Sequence, residues 1–251
     1  MIKISVVIIT FNEEKNIERC LQSVQNVADE IIVVDSFSTD KTPEICQKYN
    51  AKVILHPFED YSKQKNFALE QVENNYILSL DADEALSQTL EKSIIEVKQQ
   101  WTKDGYFLNR RTSFCGKWIN HTGWYPDRQL RLWDKREGCW NENKVHEKVK
   151  LNASAQKGFL KGDLLHFSFY TIQEHISQIN KFSEIKANEL FLRKKKAGLV
   201  KIIFSPVSKF IRHYFFKLGF LDGFYGFVIS INSAHSTFLK YAKLRQKHQS
   251  N

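Results

Sequence analysis

Four short, mostly apolar runs, alternating with stretches of helical spacing, occupy the first 81 residues, and this alternation most narrows the fold. Ile2 to Thr10 is an apolar run suited to a strand covered on both faces. Asn12-Glu13-Glu14 supplies a helix start, with Ile17, Leu21 and Val24 at helical spacing. Glu30 to Asp35 reads as a second strand, and a short helix with Ile45 and Cys46 leads to a third, Lys52 to His56. Tyr61 to Val72 reads as a helix and Tyr76 to Asp81 as a fourth strand. Strands alternating with helices imply a parallel α/β sheet with right-handed crossovers. Ligands of such sheets bind beyond the carboxyl ends of the strands. Thr10, Asp35 and Asp81 all fall at that rim.

Asp81-Ala82-Asp83 sets two carboxylates two residues apart at the end of an apolar strand. Residues i and i+2 of a strand share a face, so the pair can converge on one object. Like charges that close resist joint ionisation unless a cation lies between them. A divalent metal with oxygen ligands, held by carboxylates and substrate phosphates, is the economical expectation. The alternative has Asp81 capping a helix that starts near Leu86, with Asp83 solvated.

Val6-Val7-Ile8-Ile9-Thr10-Phe11-Asn12-Glu13, Val33-Val34-Asp35-Ser36-Phe37-Ser38-Thr39-Asp40 and Leu80-Asp81-Ala82-Asp83 together resemble family-2 glycosyltransferases of the GT-A fold. Downstream, Trp124 to Leu132, Val145-His146-Glu147 and Leu218 to Gly223 resemble the lipopolysaccharide inner-core β-1,4-glucosyltransferases that modify heptose. The resemblance implies a mixed, Rossmann-like sheet flanked by helices. It implies that Thr10, Asn12 and Glu13 line a base pocket and that Asp35 accepts the imide N–H of uracil. It sets Lys65 near the diphosphate, Asp81 on the ribose or a metal-bound water, and Asp83 on Mn²⁺ or Mg²⁺. For Lys63 and Lys65 an ordinary surface role stays open.

Inverting transfer also needs a general base for the acceptor hydroxyl. Relatives often carry it in a Glu-Asp pair, which this chain lacks; the counterpart is His146-Glu147. Glu147 is the expected base and Asp127 the runner-up. His146 is expected in the metal shell or on phosphate, with a plain buried histidine as the alternative. His166, which also matches a position in the resembling enzymes, is a candidate on the diphosphate or a plug between domains. The Gln-x-x-Arg-Trp motif of processive relatives is absent, Gln129 to Trp133 being spaced differently, which favours adding one sugar.

Between the acidic clusters, Tyr106 to Trp140 holds Trp118, Trp124, Trp133 and Trp140 with Arg110, Arg111, Arg128 and Arg131. Indole packs on sugar C–H faces and guanidinium pairs with acceptor phosphates or carboxylates. One or two exposed tryptophans are expected at the sugar site. Residues 129–132 read as a half-buried strand, with Leu130 and Leu132 inside and Gln129 and Arg131 outside.

Charge divides the chain unevenly. The net charge is +9, but from Lys181 onward there are 14 Lys or Arg against 3 Asp or Glu. Those basic groups interleave with aromatics and aliphatics from Val200 to Leu221, the pattern of a membrane-surface element. An oligomer contact is the alternative. Charged or polar breaks interrupt every window long enough to span a bilayer, and no nucleic-acid motif accompanies the charge. The expected organisation is a catalytic domain over 1–180, with a nucleotide-sugar half to about residue 100 and an acceptor half after it, then a basic amphipathic helical tail over 181–251. Arg193 to Gly198 is the expected hinge. With a strand from Ile2 onward no signal peptide is expected, and Cys20, Cys46, Cys115 and Cys139 lack metal or disulfide spacing, as in a reducing compartment.

The sequence therefore predicts a metal-dependent inverting hexosyltransferase on the cytoplasmic face of the inner membrane. It would take glucose from UDP-glucose to a heptose of the lipopolysaccharide core. A non-catalytic nucleotide-sugar-binding component of a membrane assembly remains the other reading. Nucleotidyltransfer is disfavoured because Thr10 to Glu13 contains no glycine.

Overall fold

The structure is a computed structural model and describes residues 1–141 and 147–249. In chain order its strands and helices are β1 (Ile4–Thr10), α1 (Ile17–Val24), β2 (Glu30–Asp35), α2 (Thr42–Lys48), β3 (Lys52–Leu55), α3 (Tyr61–Glu70), β4 (Tyr76–Asp81), β5 (Glu84–Leu86) and α4 (Gln88–Gln99). There follow β6 (Gly105–Phe114), β7 (Lys117–Trp118), β8 (Asp127–Asp134), β9 (Gly138–Trp140), β10 (Val149–Leu151) and β11 (Lys157–Phe169). Three α-helices follow among the described residues, α5 (Ile172–Leu192), α6 (Leu199–Ile211) and α7 (Gly223–Gln249), with a π turn (Arg212–Phe216) and a 3-10 turn (Gly219–Asp222) between the last two.

The chain forms two compact units, Met1–Arg111 with Asp127–Phe167, and Thr112–Pro126 with Ser168–Asn251. Position 180, expected as a boundary, lies inside α5, which runs unbroken for 21 residues. Phe114, Ile119, Phe169 and Ile229 share one apolar cluster, so residues 112–126 belong with the C-terminal helices. Residues 193–198, expected as a hinge between catalytic domain and tail, lie between α5 and α6 within the second unit.

In the first unit β3, β2, β1 and β4 are parallel and β8 joins β4 antiparallel; the order continues through β6 and β11 to β5. β1 supplies both cores by alternation. Ile4, Val6 and Ile8 pack with α1 and α4 residues such as Leu21, Leu90 and Ile94. Val7 packs on the other side with Ala68, Leu69 and Trp133. β4 and β5 are joined only by Ala82 and Asp83, yet lie four places apart in the sheet order. Four strand spacings in a flat sheet amount to about 19 Å, whereas such a link reaches about 10 Å. The sheet must therefore curl until β5 returns towards β4.

Sequence reading ran a helix from near Leu86 and missed β5. Three residues are too few to show a period; Ser87, accepting from the Leu90 N–H, caps α4 instead of Asp81.

In the second unit α5 opens with a reciprocal cap, Thr171 Oγ1 accepting from Glu174 N–H while Glu174 accepts from Thr171 N–H. Asp222, buried, accepts from the backbone N–H groups of Asn120 and His121 at 3.1 and 2.8 Å. His175 is buried against Phe114, Trp124 and Phe169 and shares a 3.0 Å hydrogen bond with Asn232 Nδ2. Burial lowers its pKa to about 4. A histidine kept neutral in the fold binds its proton more readily when unfolded, so stability is full above the ordinary histidine range and falls as pH drops from about 6.5 towards 4. Unfolding by urea at pH 7 and pH 4.5 should show this loss, and His175→Gln should flatten the slope. Burial, followed by Lys209, Arg212 and Lys217, also lowers His213 to about 4, which leaves the variant a residual slope. Equal slopes in variant and wild type would remove His175 from the account.

Candidate active site

The carboxyl ends of β1, β2 and β4 carry two interlaced loops and an acidic turn. Asn12 takes the left-handed region at φ 53°. Its N–H donates to Ser38 Oγ at 2.8 Å and its Oδ1 accepts from Thr39 N–H at 2.8 Å. Glu13 N–H donates to Thr42 Oγ1. Asp35 is fully buried, its carboxylate accepting from the N–H and hydroxyl of Ser38. Thr10, Asn12, Glu13 and Asp35 thus meet at one rim, where Asp35 holds the 36–40 turn in place. Burial raises the Glu13 pKa, and the carboxylates of Asp83, Asp40 and Asp81 add to that, against a lowering hydrogen bond from Asn16.

The two aspartates of the acidic turn do not converge. β4 stops at Asp81, so the strand rule ends there, and Ala82 and Asp83 form a turn pinned by Phe167 N–H donating to Asp83 O. Asp81 faces two buried cations, Lys65 Nζ at 2.9 Å and Arg131 Nη2 at 3.0 Å. Burial alone would raise its pKa, but Lys65 and Arg131 outweigh that and hold it far below the carboxylate range. Asp83 instead lies 3.1 Å from His166 Nε2. Burial pushes the His166 imidazole down, and the Asp83 carboxylate more than reverses this, leaving it above its ordinary value.

Lys65 is not a surface charge: it is 2% exposed, whereas Lys63, on the same helix, is exposed and pairs with Glu59. Its ammonium also lies 3.4 Å from Glu147 Oε1 and 4.5 Å from the centre of the Trp140 ring. Arg131 is also buried, contrary to the half-buried reading of its strand. Tyr106 opposes Leu132 and Phe107 opposes Leu130, which leaves Arg131 as the extra residue of a bulge. The bulge breaks the alternation and sends Leu130 and Leu132 to different cores, so both faces of the strand are covered and Arg131 is buried beside Trp140.

Glu84, which sequence reading did not single out, is the centre of this network. It is fully buried and accepts from Arg131 Nη2 at 3.0 Å, Arg110 Nη1 at 3.4 Å and Asp81 N–H at 3.0 Å. A carboxylate directly following the acidic pair was the available signal. Arg110 also holds Asp127, at 2.7 Å, and Gln129 Nε2 donates to the other Asp127 oxygen. Both Asp127 oxygens are therefore engaged. Arg128 is exposed and packs on Phe159, without a contact to this cluster among the described residues. His146 lies outside the described residues.

No described tryptophan is exposed. Trp133 is core, and buried Trp140 instead floors the cation pair, with Arg131 5.5 Å from its ring centre.

Among the described residues no three His, Cys, Asp or Glu side chains gather as a metal cage. Asp83 and His166 still offer a carboxylate oxygen and an imidazole nitrogen side by side. Such a pair suits a divalent ion whose remaining positions are filled by phosphate and water.

Residues 5–162 match the sequence model of the family described as glycosyl transferase family 2. The chain belongs to that family. This glycosyltransferase is 32% identical to the lipopolysaccharide core biosynthesis glycosyltransferase LpsC of Rhizobium meliloti over 98% of its own length and 93% of the relative's. It is 33% identical to an uncharacterized glycosyltransferase of Rickettsia typhi, over 98% and 88%. Among solved structures, residues 1–349 of S. aureus TarS align over 99% of the chain and 91% of theirs at 15% identity, with a TM-score of 0.47. Glucosyl-3-phosphoglycerate synthase from Mycobacterium tuberculosis, in complex with Mn²⁺, UDP and glucosyl-3-phosphoglycerate, aligns over 45% and 44% at 21% identity, with a TM-score of 0.38. The glycosyltransferase has the GT-A architecture its motifs imply, a mixed curled sheet flanked by helices with a helical C-terminal segment.

Proposed function

We propose that this glycosyltransferase moves a single hexose, glucose from UDP-glucose, with inversion onto a heptose of the lipopolysaccharide inner core. The observation that carries the reading is the Asp83–His166 pair beside the Lys65–Asp81–Glu147 cluster at the strand ends. Similarity to LpsC along nearly the whole of both chains supports the acceptor class. The missing processive motif supports one sugar per cycle.

Asp83 and His166 would hold Mn²⁺ or Mg²⁺. Bound there, the ion supplies charge neutralisation for the departing nucleoside diphosphate. Lys65, fixed by Asp81 and Glu147, adds a positive charge that costs no reorganisation during transfer. The rim built by Thr10, Asn12, Glu13 and Asp35 receives the uridine. Glu147 takes the proton of the attacking hydroxyl: among described residues only Oε1 has a partner, Lys65, whereas Asp127 has both oxygens bound. The four cysteines are unpaired, which suits a reducing compartment, and we assign the reaction to the cytoplasmic side of the inner membrane.

Calorimetric titration with UDP, UDP-glucose, UDP-galactose and GDP-mannose, with and without Mn²⁺, tests the donor half. Metal-dependent, uridine-selective binding that Asp83→Ala abolishes is expected. Absence of uridine nucleotide binding both with and without Mn²⁺ would remove the donor site and the enzymatic reading together.

A further inference from the structure

The last 59 residues hold twelve Lys or Arg and one acid, Asp222. That acid is buried and bound to Asn120 and His121, so no carboxylate side chain faces solvent between Arg193 and Gln249. On α6, Val200, Ile203, Phe204, Val207 and Ile211 fall at helical spacing and all are exposed, Val200 at 71%. Beyond the helix Phe216, Leu221 and Phe224 are exposed as well. An apolar surface of this extent marks an interaction site.

An open cleft of about 450 Å³ lies between α6 and α7, lined by Lys209, Arg212 and Lys240 with Ser205, Ser208 and Thr237. Its cations have no acid among them. Burial, then the neighbouring charges of Arg212 and Lys240, holds the Lys209 ammonium below its ordinary value. Phe204, Ser208 and Arg212 line both this cleft and an apolar groove running on to Ile211 and Phe216. Cation and hydrocarbon therefore adjoin on one surface.

We propose that the α6–α7 face docks on an anionic phospholipid bilayer, its apolar side chains entering the headgroup layer and Lys209, Arg212 and Lys240 taking a lipid phosphate. Among the described residues no single helix is long and apolar enough to cross a membrane; Leu199–Phe216 and Gly219–Gln249 meet at a 70° bend. Amphipathic, cationic helices of this kind lie in the interface plane. A second copy of the chain is a poorer occupant. A two-fold contact sets the same patch against itself, which would oppose uncompensated positive charges. Each basic group near an anionic surface strengthens binding by about fivefold, and the buried apolar area adds to it.

Sedimentation of the full chain with phosphatidylglycerol–phosphatidylethanolamine vesicles, against pure phosphatidylcholine vesicles, tests the proposal independently of any donor binding. At low salt the anionic vesicles should bind at least about tenfold more tightly, and high salt should erode the difference. The combined change Lys209→Gln, Arg212→Gln and Lys240→Gln should lower that binding by about a hundredfold, three such contributions together being worth about that factor. Ile203→Ser with Phe204→Ser should weaken it further at every salt concentration. Circular dichroism and thermal unfolding verify that each variant is folded. Equal binding to both vesicles, or folded variants that bind like wild type, would overturn the proposal. A concentration-dependent dimer disrupted by Phe204→Ser, without vesicle binding, would assign the face to a second copy instead.

Discussion

Replacing Glu147 by Gln should lower turnover by about 10²–10⁴-fold while the affinity for the nucleotide-sugar stays within a factor of about two. The amide keeps the size of the side chain and still offers an oxygen to Lys65, 3.4 Å away. It cannot take a proton from the acceptor hydroxyl. The signature is therefore a fall in kcat at unchanged donor KM. Asp127→Asn supplies the contrast. It loosens the Arg110 pair and is expected to lower stability, with a smaller effect on the rate of the folded fraction. Wild-type turnover in Glu147→Gln would remove Glu147 from the mechanism and pass the base to Asp127.

Truncating Glu84 to Ala should destabilise the first unit by about 3–5 kcal/mol, because it strands buried Arg131 against a single remaining partner. Urea unfolding followed by tryptophan fluorescence measures it, Trp133 and Trp140 both lying in the core that borders the network. The double change Glu84→Leu with Arg131→Met removes both charges and should recover part of the stability, while activity stays low because Asp81 has lost a cation that orients it. An unchanged midpoint in Glu84→Ala would mean that Arg131 is satisfied without Glu84.

The parallel half of the sheet was legible because its strands are covered on both faces and so appear as continuous β-branched runs, β1 and β2 above all. The rim positions of Thr10 and Asp35 were legible for the same reason, since a strand's end is marked by its first polar group, whereas Asn12 and Glu13 were singled out only by the family resemblance. What escaped depended on irregularity. Arg131 was assigned to solvent because one face of residues 129–132 was assumed open, whereas both faces of that strand are covered, Leu132 lying in one core and Leu130 in the other. The acidic pair was taken to converge because β4 was extended two residues beyond its end. Lys65 looks like any helical lysine until Asp81, sixteen residues away in sequence, comes within 2.9 Å. Pairings of that kind carry no local signal. Glu84 stands directly after the acidic pair, but its burial follows from strand order and not from its neighbours.

The short link between β4 and β5 sets a mechanical condition on the chemistry. Ala82 and Asp83 act as a drawstring: they hold the far edge of a nine-stranded sheet against its middle. Inserting even two residues there would slacken the loop and let the edge relax outward. His166, opposite Glu84 on the neighbouring strand, and Asp83, held to Phe167, would move with that edge away from Lys65 and Asp81. The separation of the pair assigned to the metal from the Lys65–Asp81 pair is thus set by the length of the turn, and a longer turn would open the site.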